Sequence, residues 1–368
     1  MSRLQQLLHH RVTRRLSKLA WRYRWLWPIV SFVGGIVSFF LVSRQQSLGT
    51  WLALALACSW LLLVGESLWS LWNRHRQRSG LPRLVANFCG QLTHQETLFF
   101  CLPFFLVATV WRSGQAVFTG LLVVCAIVSI IDPLYFRMAE RRRWLYFGYH
   151  ALCVFVMALV IGPLLFQLTT GHSLMLAALV LPLVALPTLA GLTRPAGAAR
   201  WALLPVAAVV LGLGAWSLRA FIPPATLWID ASALSPGFDS EARQPVGQML
   251  ATTDRLKAQG LYAYTAIHAP LGLDETVSHV WRHRGEVVDR IELAIQGGRE
   301  QGYRAWSHKQ NFGDNASGPW QVDIMTQTGQ RLGVIRFNVA QEPEQAQRLD
   351  GTIEQAPGVG WLRHGEAP

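Results

Sequence analysis

The sequence predicts a membrane all-α bundle of about seven transmembrane helices followed by an all-β C-terminal domain, an antiparallel β-sandwich. Three observations carry that prediction. Of 368 residues, 51% are hydrophobic and 15% charged, and the mean hydropathy of +0.26 is high for a water-soluble domain. Apolar runs long enough to cross a hydrocarbon core of roughly 30 Å recur up to residue 222 and not after it. Beyond residue 260 the hydrophobic period changes to two, the signature of strands.

Charge divides the chain at the same place. Residues 1–222 hold 20 Lys+Arg against 4 Asp+Glu, whereas residues 223–368 hold 13 against 17. A pI near 10.2 therefore points away from nucleic acid as a partner, because the basic excess lies wholly in the apolar half.

Residues 1–25 read as a basic amphipathic interfacial helix: Leu4, Leu7, Leu8, Val12, Leu16 and Leu19 keep helical spacing between arginines. Trp21, Tyr23, Trp25 and Trp27 follow as headgroup-level anchors. Residues 26–222 form the seven-helix domain, with spans at 26–43, 51–72, 96–111, 115–135, 145–168, 173–192 and 201–222. The third is short and is expected to begin within Asn87–Gln95; six or eight spans would need a merged pair or the 84–95 stretch as a further span. Four alternate regions carry 17 basic residues, among them Arg74–Arg83 and Arg137–Arg143, while the opposite loops hold only Arg44 and Arg112. Basic segments resist translocation, so the N-terminus is expected in the cytoplasm of a bacterial inner membrane and everything after Phe221 in the periplasm. All five cysteines lie in the apolar half, none at metal-ligand spacing, and read as small packing residues.

Pro223-Pro224 ends the last span. Residues 223–259 read as a linker with a short helix near Val246–Ala258, residues 260–340 as the periplasmic sandwich, and residues 341–368 as a flexible tail. Strands are expected at 261–268, 276–283, 287–296, 302–309, 319–326 and 331–339, separated by turn residues such as Arg284-Gly285, Gly297-Gly298 and Thr328-Gly329. A small barrel is the competing fold.

Within this region Ile267-His268-Ala269-Pro270, Val277-Ser278-His279-Val280-Trp281, Gly302-Tyr303-Arg304-Ala305-Trp306-Ser307 and Gly318-Pro319-Trp320-Gln321-Val322, following Pro223-Pro224, resemble a bacterial domain of unknown function, the 2914 type, over roughly residues 221–340. The resemblance implies a domain that caps polytopic membrane proteins at their C-terminus. It implies no activity and transfers no functional residue.

Two groups stand out as candidate sites. Trp281, Trp306 and Trp320 with Tyr303 and Arg304 could stack on a sugar ring or a peptide, although large aromatics equally serve as core. Glu66, Glu96, Asp132 and His150, with His94, are ionisable groups at similar depth in the apolar half, where such groups pair with loop arginines or mark a polar pocket. His279 and His283 lie on one strand face but about 13 Å apart, too far to share an ion. Ser307-His308 with Asp314 lacks a nucleophile elbow. No catalytic residue, metal or cofactor is expected. The expected partners are the bilayer and an envelope protein or glycan. The alternative reading is a transporter or lipid-handling protein that uses the polar cluster near Glu66 and Asp132.

Overall fold

The computed structural model describes residues 51–62, 83–192, 198–298 and 302–355, with isolated helical positions at 33, 34, 37 and 65. The N-terminal arm, Glu66 and Arg299 lie outside the described residues.

A helical unit comes first: α1 (Trp51–Leu62), then α2 (Arg83–Ala108), α3 (Gln115–Ile130), α4 (Asp132–Arg141), α5 (Arg143–Phe166), α6 (Thr170–Leu192) and α7 (Ala198–Ser217). Local chemistry sets the breaks. At Ile131 the backbone leaves the helical region, and Asp132-Pro133 opens α4, so the chain turns by 98° between α3 and α4. Gln167 adopts a left-handed conformation (φ 53°), and its N–H reaches back to Pro163 O at 3.2 Å, closing α5 in an αL motif. Thr169 caps α6, its Oγ1 accepting the His172 N–H at 3.2 Å.

The expectation of about seven spans fails. Among the described residues one helix, Trp144–Phe166, is long and apolar enough to cross a bilayer, or two if the bent α3–α4 pair counts as one span. The physical reasons differ from helix to helix. The first half of α2 is interrupted by Gln91, Thr93, His94, Gln95, Glu96 and Thr97. Helix α3 stops after 16 residues. The remaining apolar stretches among the described residues are Trp51–Leu62, Thr170–Leu183 and Pro205–Ser217, and the predicted 26–43 span lies almost wholly outside the described residues.

The C-terminal unit is β-rich, in two four-stranded antiparallel sheets. Its strands are β1 (Trp228–Ser235), β2 (Gly237–Asp239), β3 (Gln244–Val246), β4 (Met249–Leu250), β5 (Leu261–His268), β6 (Asp274–His283), β7 (Glu286–Gln296), β8 (Tyr303–Lys309), β9 (Gly318–Thr326), β10 (Arg331–Val339), β11 (Arg348–Leu349) and β12 (Glu354–Gln355). The first sheet runs β12-β1-β5-β8 and the second β10-β9-β6-β7. Strands β5 to β10 fall within two residues of their predicted positions. The predicted linker is structural instead: it supplies β1, a central strand of the first sheet, and its helix α8 spans only Thr253–Gln259. The predicted tail adds β11 against β4 and β12 against β1.

Turn chemistry fixes the hairpins. Arg284 and Gly285 have φ of 52° and 91° between the paired residues His283 and Glu286, the two positive values of a type I′ turn whose twist matches that of the strands. Between the sheets, Trp281, Trp320, Val322 and Phe337 pack on Leu234, Leu261 and Ala263. At the other end Val277, Ile324 and Leu332 meet Ile229, Ile267 and Ala305.

The two units dock end to end. Gln115 Nε2 donates to Arg331 O (2.9 Å), Arg219 Nε to Thr328 O (2.9 Å) and Gln330 Nε2 to Ile222 O (3.0 Å). The Thr170 N–H donates to Glu275 Oε2 at 2.6 Å. Ile222, Ala225 and Trp228 extend the helical core to the first strand. These contacts use the start of α3, the α5–α6 connection and the end of α7. The arginines at 137, 141, 142 and 143 therefore sit at the opposite end of the helices.

Candidate functional site

Alternation along β5 and β8 sends one residue set between the sheets and the other outward. Outward, the register pairs Tyr264 with Trp306, Tyr262 with His308 and Ala266 with Arg304. Tyr262 and His308 stack with ring centroids 3.9 Å apart. The β2–β3 hairpin folds over this face, Phe238 stacking on Trp306 at 4.2 Å, while Arg304 Nη1 donates to Ala242 O at 3.1 Å. Ala231, Ala233 and Ala266 lie beside Phe238 and Tyr264, so small side chains leave the aromatic rings standing above the sheet. Burial pushes the Tyr264 hydroxyl pKa up, partly offset by the Arg304 charge. Flat half-buried rings edged by a guanidinium and an imidazole are suited to stacking on a sugar or a planar side chain.

The predicted aromatic set is therefore split. Trp306 and Arg304 share the outer face. Trp281 is fully buried between the sheets, and its Nε1 donates to Ser307 Oγ at 3.3 Å. Trp320 is buried too, donating to Ala316 O at 2.6 Å, and Tyr303 packs against the inter-sheet core. His279 lies between the sheets with Thr265 Oγ1 at 3.1 Å and Ser307 Oγ at 2.8 Å from its ring nitrogens. Burial drives its pKa down to about 3, so it is a neutral bridge between sheets. Ser307 is enclosed with it, His308 is on the opposite face, and Asp314 pairs with Lys257 at the surface, so these three residues do not assemble. His283 stacks on Trp320 at 4.6 Å. Among the described residues no group of three His, Cys, Asp or Glu converges as metal ligands would.

In the helical unit the polar residues around His94 form a cluster near the arginine-bearing end. His94, fully buried, places Nδ1 2.8 Å from Tyr135 Oη and Nε2 2.9 Å from His150 Nδ1. The rings of Trp60, Tyr146 and Tyr149 surround it. Asp132 accepts from Gln91 Nε2 at 2.9 Å, and the same amide donates to Ser129 O at 3.0 Å. Asp132 and His150 thus belong to one polar region. Glu96 is exposed and bonds Ser59 instead.

Sequence reasoning named His94 but missed its direct bond to His150, and it missed Tyr135, Phe238, Tyr262 and Tyr264. The outward tyrosines were visible as alternation in Leu261-Tyr262-Ala263-Tyr264. The Phe238 contact depends on a hairpin in the region read as a linker, and no period announces it.

Two family models match the chain. One is described as a family of unknown function, DUF5924, and covers residues 5–263. The other is described as a protein of unknown function, DUF2914, and covers residues 274–339, in agreement with the resemblance read from the β6 to β9 motifs, although it begins after Ile267–Pro270. No curated protein and no solved structure matches. The first match ends inside β5 and the second begins with β6, so the pair meets within the β unit, not at the junction of the two units. With well over half of its length covered by the first model, the chain belongs to the DUF5924 family of unknown function.

Proposed function

We propose that the chain is a bacterial inner-membrane protein whose helical unit sits in lipid and holds the β unit on the periplasmic side, where the outer face around Trp306 binds an envelope protein or glycan. The observation that carries this reading is the apolar exterior of the helical unit, which lies outside an apolar core. Val117, Leu121, Val124 and Ile127 on α3 are exposed along one helical face, as are Val206, Val209, Val210 and Leu213 on α7 and Met175 and Leu179 on α6. His94, Gln91, Gln95, Thr97, Gln115 and Thr119 are buried inside. An apolar exterior over several helices suits a lipid solvent and is costly in water. The ends support the orientation: the β unit docks at the arginine-poor end, opposite Arg137, Arg141 and Arg142, and basic ends stay cytoplasmic.

The test has two arms on the full chain. A tag after Pro368 should be cleaved by protease added to intact spheroplasts; a tag shielded there and cleaved after lysis sinks the orientation. Cross-linking in cells should recover a partner or glycan from the parent and lose it in Trp306→Ala. Equal recovery from both would remove the outer face from the reading. A transporter using Asp132 and His150 ranks second, because between Thr97 and Thr109 helix α2 carries only apolar residues, which separate the Asp132–His150 cluster from the polar groups at the other end.

A further inference from the structure

We infer that α4 is a docking surface for anionic phospholipid headgroups, an assignment that rests on the membrane reading above. The 98° turn at Ile131 lays this ten-residue helix across the end of the bundle instead of continuing α3 outward. Its rotation is fixed from inside: Tyr135 is fully buried and bonded to His94, and Asp132 is held by Gln91. Arg137 and Arg141 are four residues apart and therefore share a face, and both are exposed, as is Arg142. The opposing charge on this face is Glu140, also exposed.

What surrounds these arginines points to lipid. Ile127, Ile130, Ile131 and Leu134 are exposed directly before them, and Trp144 and Leu145 directly after, Trp144 with 64% of its surface free. The apolar exterior of α3 thus gives way to guanidinium groups within one helical turn, with a tryptophan at the boundary. That is the profile of an amphipathic helix in the plane of the headgroups, where tryptophan settles and arginine meets phosphate. Juxtamembrane basic residues gain about 1 kcal/mol each on an anionic surface, which corresponds to about fivefold in affinity per arginine.

The test uses the full chain in mild detergent, titrated with phosphatidylglycerol or phosphatidylcholine and read by native mass spectrometry. The parent should retain phosphatidylglycerol in preference. The triple variant Arg137→Ala, Arg141→Ala, Arg142→Ala should lose that preference, by about fivefold per arginine removed. The matching Arg→Lys triple, which keeps the charge, should retain most of it and shows that loss is not misfolding. A parent without preference, or an alanine triple that keeps it, overturns the assignment. Displacement of phosphatidylglycerol by millimolar inorganic phosphate, but not by chloride at equal ionic strength, would assign the arginines to a soluble phosphate and overturn it too. Incorporation into pure phosphatidylcholine vesicles, followed by flotation, reports separately on the membrane reading. Protein that incorporates but shows no headgroup preference removes only the α4 assignment.

Discussion

In the β unit Trp281 and Trp320 turn inward and fill the space between the sheets, while Arg304, His308 and Glu292 face out. The helical unit also buries an apolar core, but it leaves valines and leucines of α3 and α7 outermost and encloses His94, Gln91, Gln115 and Thr119. The two units thus differ in what they leave outermost. The boundary between them is a short docking layer of hydrogen bonds, from Thr170, Gln115, Arg219 and Gln330.

The sharpest way to break the contrast is at its most buried ring. Trp281→Ala should cost the β unit about 3–5 kcal/mol, as large aromatic truncations in cores do, read as a lower denaturant midpoint of the β unit in the full chain. Trp306→Ala on the outer face should cost less than about 1.5 kcal/mol and lose partner recovery instead. Equal losses would show that the outer face is core after all.

A pH titration of stability gives the next largest effect. The folded pKa of His279 lies near 3, below its ordinary value, so between about pH 6.5 and 3 the unfolded chain binds a proton that the folded one does not. Stability should therefore be complete above pH 6.5 and fall as the pH drops through that window. In His279→Gln the fall should be shallower, and an unchanged slope would exclude His279 as its source.

How much of this was legible in the sequence depends on the range of the signal. Period-two alternation is local, so β5 to β10 could be read from Leu261 to Val339 with little error. Strand β1 could not: Trp228–Ser235 offers no clean alternation, and its partners His268–Tyr262 and Glu354–Gln355 are distant in sequence. Hydropathy misled in the helical half because it scores residues without regard to breaks, and Ile131-Asp132-Pro133 halts α3 within an apolar run. The aromatic site was half legible. Trp306 and Arg304 were named from composition, but which tryptophans faced inward depended on strand register.

The helical interior offers a smaller perturbation. Tyr135→Phe leaves a nitrogen of His94 without its hydroxyl partner, costing about 1 kcal/mol. It should loosen α4 selectively, seen as faster amide exchange over residues 132–141 with α6 unchanged; uniform exchange across the bundle would deny Tyr135 its anchoring role. The smallest effect is expected at the docking layer. Burial raises the Glu275 pKa, so its ionised form is disfavoured there and its contribution declines as the pH rises through the raised value. Glu275→Gln keeps an acceptor for the Thr170 N–H and removes the charge. At pH 8 the melting temperature should be unchanged or slightly higher, and a clear drop would mean that the carboxylate's attraction to the α6 N-terminus outweighs its burial.

The pairing of β12 with β1 has a consequence for biogenesis. Strand β1 begins about six residues after the last helix ends its terminal turn, yet one of its two neighbours consists of Glu354 and Gln355. A ribosome that has finished every other strand still holds this one back, so the first sheet stays open along β1 until Glu354 and Gln355 have emerged. An exposed strand edge of that kind invites wrong partners. Premature stop codons after Val339 should therefore yield aggregation-prone chains even though β5 to β10 are all present.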